Sequence, residues 1–311
     1  MPCIMHHFRL LLLSFLLLTG CREQQSLKPE SHALNLVKQI TTSKERLAKR
    51  YSCSDKGNRC LFLTFWDFDG TILRGDCSEG LQIDGKHAFK GMAQAGIEAG
   101  LSKRYEKHEF SRFWSEYKEL ESRDHIRAYV MIPAIFAGSP VSQLNKLGAR
   151  QFSQSYRPWY FTSSVYMIEE LKKAGIENHI ISASGDVFVK NAAQTLPIPA
   201  GHMHGIELVI EKGILTGRPV QPITYAAGKT RKLEQVVAQR VKQLNAAKVF
   251  ILAGFGNSYG TDGHFLKYIS KLKYGEEKTT VVMINGGEPE SGYEGLFHRV
   301  KQQRVLEKTQ I

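Results

Sequence analysis

Short apolar runs alternate with longer amphipathic segments along most of the chain. The runs are rich in β-branched and aromatic residues and end at Gly or polar side chains, which is typical of strands buried on both faces. Such strands, separated by helices, predict an α/β fold whose parallel sheet is covered by helices on both sides. The predicted strands cover residues 61–66, 179–184, 248–255 and 279–285, and the helices between or after them cover 158–174, 229–245 and 262–272.

One long segment interrupts this alternation. Residues 84–156 contain only patterns that predict helices, so we expect an all-helical cap inserted into a sheet domain formed by residues 60–83 and 157–311. The stretch GIELVIEKGILTGR, residues 205–218, alternates apolar and polar positions around Lys212 and Gly213 and predicts a β-hairpin.

Residues 22–59 are expected to form a tether followed by a helix. Pro29 breaks the start of this segment. Apolar residues then recur at roughly helical spacing, namely Leu34, Val37, Ile40 and Leu47. We expect this stripe to pack against the core of the protein.

The first 21 residues are not expected to belong to the fold. Arg9 precedes an apolar run over 10–18, which is too short to cross a bilayer and fits the hydrophobic region of a secretory signal. The run ends in Leu-Thr-Gly-Cys, which resembles a bacterial lipobox and implies lipidation of Cys21. By the same resemblance, Arg22 rather than Asp after it implies the outer membrane of the bacterial cell envelope, with the domain facing the periplasm. An ordinary cleaved signal or a short anchor is the alternative.

Composition and charge narrow the range of partners. Of the 311 residues, 42% are hydrophobic and 23% charged, as in ordinary globular proteins and unlike disordered ones. The net charge of +12 favours anionic partners, but the basic residues are spread along the chain without a Lys/Arg block or zinc-finger spacing. We therefore expect no nucleic-acid partner and interpret the excess of basic residues as charge dispersed over the chain.

Cysteine usage agrees with export. Once the signal is removed and Cys21 is lipidated, Cys53, Cys60 and Cys77 remain. In an oxidising compartment, Cys53 and Cys60 can close a small loop that stabilises the fold by about 2–3 kcal/mol. Three free thiols are the alternative.

The His-Met-His stretch at 202–204 is a weaker signal. If it lies in a strand, the imidazoles of His202 and His204 share one face. Zinc sites use three or four ligands, and no others stand near these two in the sequence. This motif alone therefore does not predict a metal site.

Groups with catalytic chemistry follow the predicted strands or open a helix. They are Asp67, Asp69, Ser182, Lys229, Asn257 and Asp262. Because ligands of open parallel sheets bind outside the carboxyl ends of the strands, we expect these side chains to converge at one edge. Carboxylates gathered there need a cation, and an all-oxygen set suits Mg²⁺. A Lys and a hydroxyl beside them suit a phosphate.

Four motifs in order, DFDGT, IISAS, GK and GNSYGTD, resemble those of the haloacid dehalogenase superfamily of phosphohydrolases. The similarity spans residues 60–285. The helical insert between the first two motifs, and the hairpin before the Lys, most resemble the phosphoserine-phosphatase-like branch. The resemblance implies a Rossmann-like parallel sheet core with an inserted helical cap, and a Mg²⁺-dependent phosphomonoester hydrolase.

The resemblance also implies roles for individual residues. Asp67 would be the nucleophile that forms a phosphoaspartyl enzyme, and Asp69 the general acid and base. Ser182 and Lys229 would bind the phosphoryl oxygens. The acid at position 69 favours a phosphatase over a dehalogenase, because an alcohol leaving group needs a proton.

Gly70 and Thr71 would form the tight turn that brings backbone N–H groups near the phosphate. A structural interpretation stands beside the catalytic one for all of these residues, since an Asp or Ser after a strand often caps a turn or a helix.

The expected Mg²⁺ ligands are the Asp67 carboxylate, the Asp69 carbonyl and an acid of the fourth motif. The family usually has Asp where this chain has Asn257. Either Asn257 ligates through its neutral carbonyl oxygen, or Asp262 takes its place.

Asp76 and Glu79 follow the first motif, where related enzymes place an acid that meets a substrate ammonium. The resemblance implies a small phosphorylated metabolite, phosphoserine-like or phosphocholine-like. Capping of cap-domain helices is the alternative role for both acids. Two other functions stay open: a broad-specificity periplasmic acid phosphatase, and a lipoprotein that binds an anionic partner through a catalytically impaired site.

Overall fold

The computed structural model describes residues 28–54 and 57–307, which form twelve strands and nine α-helices. The strands are β1 Cys60–Trp66, β2 Gly80–Ile83, β3 Lys86–Lys90, β4 Glu177–Gly185, β5 Met203–Ile206, β6 Leu208–Glu211, β7 Ile214–Pro219, β8 Lys248–Gly256, β9 Lys273–Tyr274, β10 Glu277–Lys278, β11 Thr280–Ile284 and β12 His298–Val300. The helices are α1 Ser31–Arg50, α2 Met92–Glu98, α3 Phe110–Glu121, α4 His125–Ala134, α5 Val141–Gln151, α6 Thr162–Lys173, α7 Asp186–Ala192, α8 Ala227–Leu244 and α9 Tyr259–Ser270.

Six strands form one parallel sheet in the order β12-β11-β8-β1-β4-β5. The central strand β1 pairs in parallel with β4 on one side and with β8 on the other. This confirms the predicted α/β fold with a parallel sheet. It also places the carboxyl ends of β1, β4 and β8 side by side at one edge of the sheet.

The two faces of β1 enter two separate cores, because successive side chains of a strand point to opposite sides. Phe62 and Trp66 pack in the core that includes α1 and α6. Leu61, Leu63 and Phe65 pack in the core that includes α8 and α9. Burial on both faces fixes the position of β1, and therefore of the residues that follow it.

The predicted N-terminal helix is α1, and it packs on the core. Its buried stripe includes Ile40 and Leu47 as predicted, but in the first two turns it is shifted by one position toward the N-terminus. The residues that face the core are Ala33, Leu36, Ile40, Ser43 and Leu47. Leu34, which we expected in the stripe, is 48% exposed.

Between β1 and α6 lie the hairpin β2–β3 and helices α2 to α5. The prediction that 84–156 is all helical is wrong at its start, because residues 86–90 form β3. The strands β2 and β3 pair antiparallel across Asp84 and Gly85, both of which have positive φ. Asp-Gly is a strong signal for this kind of two-residue turn, so the hairpin was detectable in the sequence.

The second hairpin is confirmed. The strands β6 and β7 pair antiparallel across Lys212 and Gly213. A disulfide joins Cys53 and Cys60, whose Cα atoms are 5.4 Å apart. Cys77 is the one free cysteine within the described ranges, and it is buried.

None of the helices described here is long and apolar enough to cross a membrane. The predicted signal and Cys21 lie outside the described residues.

Candidate active site

Polar groups from four parts of the chain meet where β1, β4 and β8 end. Asp67 and Asp69 directly follow β1, and Ser182 lies near the end of β4. Lys229 is in the first turn of α8. Asn257 and Asp262 come from the segment that links β8 to α9 and from the start of α9. The structure thus brings together all six of the candidate catalytic groups.

Lys229 is the centre of this site. Its ammonium Nζ donates to Asp67 Oδ1 at 2.7 Å and to Asp262 Oδ1 at 2.6 Å. The Lys229 side chain is fully buried. Burial by itself lowers the pKa of Lys229, but the two carboxylates outweigh it, so the pKa is raised and the ammonium stays charged.

Asp262 holds the loop of the fourth motif. Its Oδ2 accepts from the backbone N–H groups of Asn257 at 2.9 Å and Ser258 at 3.0 Å. With Lys229 bound to Oδ1, the carboxylate of Asp262 is satisfied by protein groups. Asp262 therefore fixes the positions of the Lys229 ammonium and of the Asn257 backbone.

The carboxamide of Asn257 faces three oxygens. They are Asp67 Oδ2 at 3.2 Å, Asp262 Oδ2 at 3.2 Å and the Asp69 carbonyl oxygen at 3.1 Å. With its nitrogen turned toward them, Asn257 donates hydrogen bonds. With its oxygen turned toward them, it joins an all-oxygen group of the kind that Mg²⁺ prefers, so these residues fit the ion.

Gly70 makes the approach of Asn257 possible. Its φ is +74°, a conformation that side chains disfavour. A Cβ on residue 70 would lie 2.0 Å from the Asn257 carboxamide nitrogen. Only Gly fits both the turn and this contact.

Asp67 is buried among charges. Burial, followed by the charge of Asp262, raises the pKa of Asp67 to about 7, although Lys229 acts in the opposite direction. A divalent cation at the oxygens described above would favour the ionised form. The Asp67 environment therefore calls for a second cation besides Lys229.

The side chain of Asp69 is turned toward β4. Its Oδ2 accepts from Ser184 Oγ at 2.7 Å and from Ser182 Oγ at 3.3 Å, and its Oδ1 accepts from the Cys77 N–H at 2.6 Å. Burial raises the pKa of Asp69, and the hydrogen bonds from Ser184 and Cys77 oppose this only in part. A carboxyl with a raised pKa suits a general acid.

Sequence reasoning missed Ser184. It is the second Ser of the IISAS motif, and its alternation with Ser182 puts both on one face of β4. The two-residue spacing of Ser182 and Ser184 is therefore the sequence pattern that indicates Ser184 as a site residue.

The backbone N–H groups of Gly70 and Thr71 are not placed as the family resemblance implied. The N–H of Gly70 donates to the Leu73 carbonyl at 2.7 Å, and the N–H of Thr71 donates to the Phe68 carbonyl at 3.3 Å. These two N–H groups are used inside the turn and do not point to a phosphate, because the turn closes on itself. The N–H groups of Phe68 and Asp69 have no partner among the described residues. The Thr71 hydroxyl instead donates to Asp67 Oδ2 at 3.0 Å.

Residues 64–262 match the haloacid dehalogenase-like hydrolase family, and this match includes all of the residues above. The chain belongs to the haloacid dehalogenase-like hydrolases. No curated protein matches its sequence.

Solved structures of low sequence identity are similar to this hydrolase. A protein of unknown function from Bordetella pertussis Tohama I is 15% identical with a TM-score of 0.58, covering 78% of this chain and 98% of its own. A substrate-bound phosphoserine phosphatase is 14% identical with a TM-score of 0.41, covering 72% and 86%. Cytosolic 5'-nucleotidase IIIB bound to cytidine is 12% identical with a TM-score of 0.49, covering 84% and 81%.

In this hydrolase, Asp76 lies beside Asp69. One of its carboxylate oxygens is within 4.8 Å of one of Asp69. Asp76 Oδ1 accepts from the N–H groups of Ser78 at 2.6 Å and Glu79 at 2.8 Å, so it caps a turn rather than a cap-domain helix. Burial, and then the charges of Asp69 and Glu79, raise the pKa of Asp76 well above its usual range.

Glu79 connects this acid to the helices of the cap. The hydroxyl oxygen of Tyr117 lies 2.8 Å from Glu79 Oε1 and 3.0 Å from Glu121 Oε1, so the two carboxylates share its single O–H donor. Burial raises the pKa of Glu79, while Tyr117 lowers it. No Lys or Arg forms an ion pair with Asp76 or Glu79 in the part of the chain that the structure describes.

Two further tyrosines lie near these acids. Tyr129 of α4 and Tyr225, just before α8, have ring centroids 4.9 Å apart at an interplanar angle of 61°. Burial, and then the charges of Asp76 and Glu79, raise the pKa of Tyr129. Asp76, Glu79 and the ring of Tyr129 therefore lie close together, next to Asp69.

Proposed function

We propose that this hydrolase is a Mg²⁺-dependent phosphomonoester hydrolase that acts through a phosphoaspartyl intermediate. The observation that carries the proposal is the buried Asp67, bound to Lys229 at 2.7 Å, with Asp69 two residues further on at the same edge. A carboxylate nucleophile, a cation and a carboxylic acid are the groups that the reaction needs.

In the first step, Asp67 attacks phosphorus. Its Oδ2 faces Asn257, which leaves Oδ1, beside Lys229, to form the new P–O bond. As the bond between phosphorus and the alcohol oxygen breaks, Asp69 gives its proton to that oxygen. The charge of Lys229 stabilises the phosphoryl oxygens during transfer.

In the second step, the carboxylate of Asp69 takes a proton from water, and the water oxygen attacks phosphorus. The bond between phosphorus and Asp67 breaks, which releases inorganic phosphate and restores the free carboxylate. Ser182 and Ser184 hold Asp69 in the resting state, and a phosphoryl group near Ser182 would compete for its hydroxyl.

Mg²⁺, when bound, would neutralise charge on the phosphoryl group. Asp67 Oδ2, the Asp69 carbonyl and the Asn257 carboxamide oxygen would hold it. We favour Asn257 over Asp262 as the ligand from the fourth motif, because both oxygens of Asp262 are already engaged.

The Asn257→Asp variant tests this assignment. It adds a negative charge to a proposed ligand, so we expect Mg²⁺ to bind about tenfold more tightly by calorimetry. In EDTA the same variant should unfold at lower urea than the wild type, since a third carboxylate joins Asp67 and Asp262. Asn245→Asp at the exposed end of α8 is the charge-matched control. Equal Mg²⁺ affinity in all three proteins would contradict the assignment.

We further propose that the substrate is a small phosphate ester whose alcohol part carries an ammonium group, phosphoserine-like or phosphocholine-like. Asp76 and Glu79 are half-buried acids without an ion-pair partner, so a bound cation would relieve their mutual repulsion. The faces of Tyr129 and Tyr225 suit a cationic group as well.

A double variant, Asp76→Asn with Glu79→Gln, tests the ammonium. We expect kcat/KM for phosphocholine to fall about 10–100-fold, because interactions with a charged group are worth about 1.5–3 kcal/mol. Hydrolysis of glycerol phosphate, which lacks the amine, should change by less than about threefold and is the internal control. A wild type that hydrolyses both esters equally well would instead indicate a broad-specificity acid phosphatase.

We propose that the protein is lipid-anchored at Cys21, at the outer membrane and facing the periplasm. The support is the lipobox-like sequence. In bacterial cells, Cys21→Ser is expected to move the protein from the membrane fraction to the soluble fraction. Unchanged membrane association would point to an uncleaved anchor.

A further inference from the structure

A group of polar side chains lies near the start of β4, where Glu177 and His179 pair with Leu63 and Phe65 of β1. Glu177 and His179 are on β4, and His202 is in the turn that leads into β5. We call Glu177, His179 and His202 the β4 histidine cluster. The Nε2 atoms of His179 and His202 lie 3.4 Å and 3.9 Å from Glu177 Oε2. One ligand atom of each residue lies within 4.8 Å of the other two.

The cluster contains polar atoms that protein groups leave unsatisfied. His179 is fully buried. Its Nδ1 has no partner among the described residues, and its Nε2 has only the Glu177 carboxylate, at 3.4 Å and without hydrogen-bond geometry. The Nδ1 of His202 is buried without a partner as well. Because leaving a buried polar atom unsatisfied is unfavourable, the Nε2 of His179 calls for a better partner than this carboxylate alone.

Arg240 of α8 holds Glu177 from the other side. Its Nε donates to Oε2 at 3.0 Å, and its Nη2 donates to Oε1 at 2.7 Å. Carboxylates that bind metals are usually oriented by an outer hydrogen bond of this type. The two imidazole rings stack with centroids 4.1 Å apart. One ion can bind the Nε2 atoms of both His179 and His202 only if the His202 ring rotates. His202 is the more exposed of the two residues.

We propose that the β4 histidine cluster binds a zinc ion through Glu177 Oε2, His179 Nε2 and His202 Nε2. Two imidazoles and one carboxylate suit Zn²⁺, whereas Mg²⁺ prefers the all-oxygen set at the catalytic edge. The ion would join β4 to the turn before β5 and, through Arg240, to α8. Its role is structural, since the cluster does not touch Asp67 or Asp69.

Calorimetric titration of the metal-stripped protein with Zn²⁺, in excess Mg²⁺, tests the proposal. The Mg²⁺ occupies the proposed catalytic set, so the wild type should bind one further Zn²⁺ and unfold at a higher temperature. The His202→Gln variant removes one ligand at the rim of the fold. Loss of an outer partner alone costs about 10–100-fold in metal affinity, so we expect Zn²⁺ to bind at least about a hundredfold more weakly.

His204→Gln is the matched control, because His204 lies two residues further on and is not in the proposed set. It should bind Zn²⁺ like the wild type. X-ray absorption of the zinc-loaded wild type should show nitrogen ligands from two imidazoles. The proposal is overturned if the wild type binds no Zn²⁺, if His202→Gln binds it as tightly as the wild type, or if the absorption spectrum shows an all-oxygen shell.

Discussion

Asp67→Asn is expected to lower the turnover of para-nitrophenyl phosphate by at least about a thousandfold. The amide has nearly the shape of the carboxylate and can still accept from Lys229, but it does not attack phosphorus. Turnover is measured in Mg²⁺ with the wild type and the variant side by side. Acid-quenched wild type should carry an acyl phosphate that the variant lacks.

Two controls make this result specific to the nucleophile. Asp84→Asn in the turn between β2 and β3 makes the same chemical change away from the site and should retain full activity. EDTA should abolish wild-type turnover. Full activity of Asp67→Asn, or wild-type turnover that EDTA does not change, would contradict the proposed mechanism. A lipoprotein that binds its partner without catalysis would then be the better interpretation.

Lys229→Met is expected to cause the largest loss of stability, about 3–5 kcal/mol in the free energy of unfolding. Met has a similar length, so the change removes the charge and little volume. Asp67 and Asp262 are then left buried with no cation between them. The measurement is equilibrium unfolding in urea, followed by circular dichroism, at neutral pH and without Mg²⁺.

Lys232→Met provides the comparison on the same helix. Lys232 lies one turn further along α8 and is buried as well, but its carboxylate partner Glu207, at 3.6 Å, is 34% exposed and can be solvated when it is left alone. The loss of Lys232 should therefore cost less than the loss of Lys229. Adding Asp262→Asn to Lys229→Met should restore part of the lost stability, because it removes one unpaired carboxylate. Equal losses for the two Lys variants would mean that the charge between Asp67 and Asp262 does not hold the site together.

Local sequence predicted the elements that carry the site. The apolar run before Asp67 could only be a buried strand, and the same holds for the runs that form β4 and β8. In each case the pattern is contained within about ten residues, and burial on both faces selects a mostly apolar run. The Lys212-Gly213 hairpin was also predicted, because turn chemistry is local.

One local signal was overlooked. Residues 80–90 carry Asp84-Gly85 between two short alternating runs, which favours a hairpin. The apolar residues after it, such as Met92 and Ile97, recur at helical spacing, and the helical pattern was extended backwards over β3. At the boundary of an element, turn residues such as Asp84-Gly85 are better evidence than hydrophobic periodicity.

The sequence by itself determined the parallel α/β fold, the family motifs and the residue types that stand at strand ends. Only the tertiary structure decided that Lys229 lies between Asp67 and Asp262, that Ser184 holds Asp69, and that Glu177 and His179 meet His202. These contacts join residues 23 to 162 positions apart, and they depend on strand order and register, which no local pattern encodes. Hydrophobic periodicity specifies which face of each element is buried, whereas the partner that covers it is chosen when all the elements pack together.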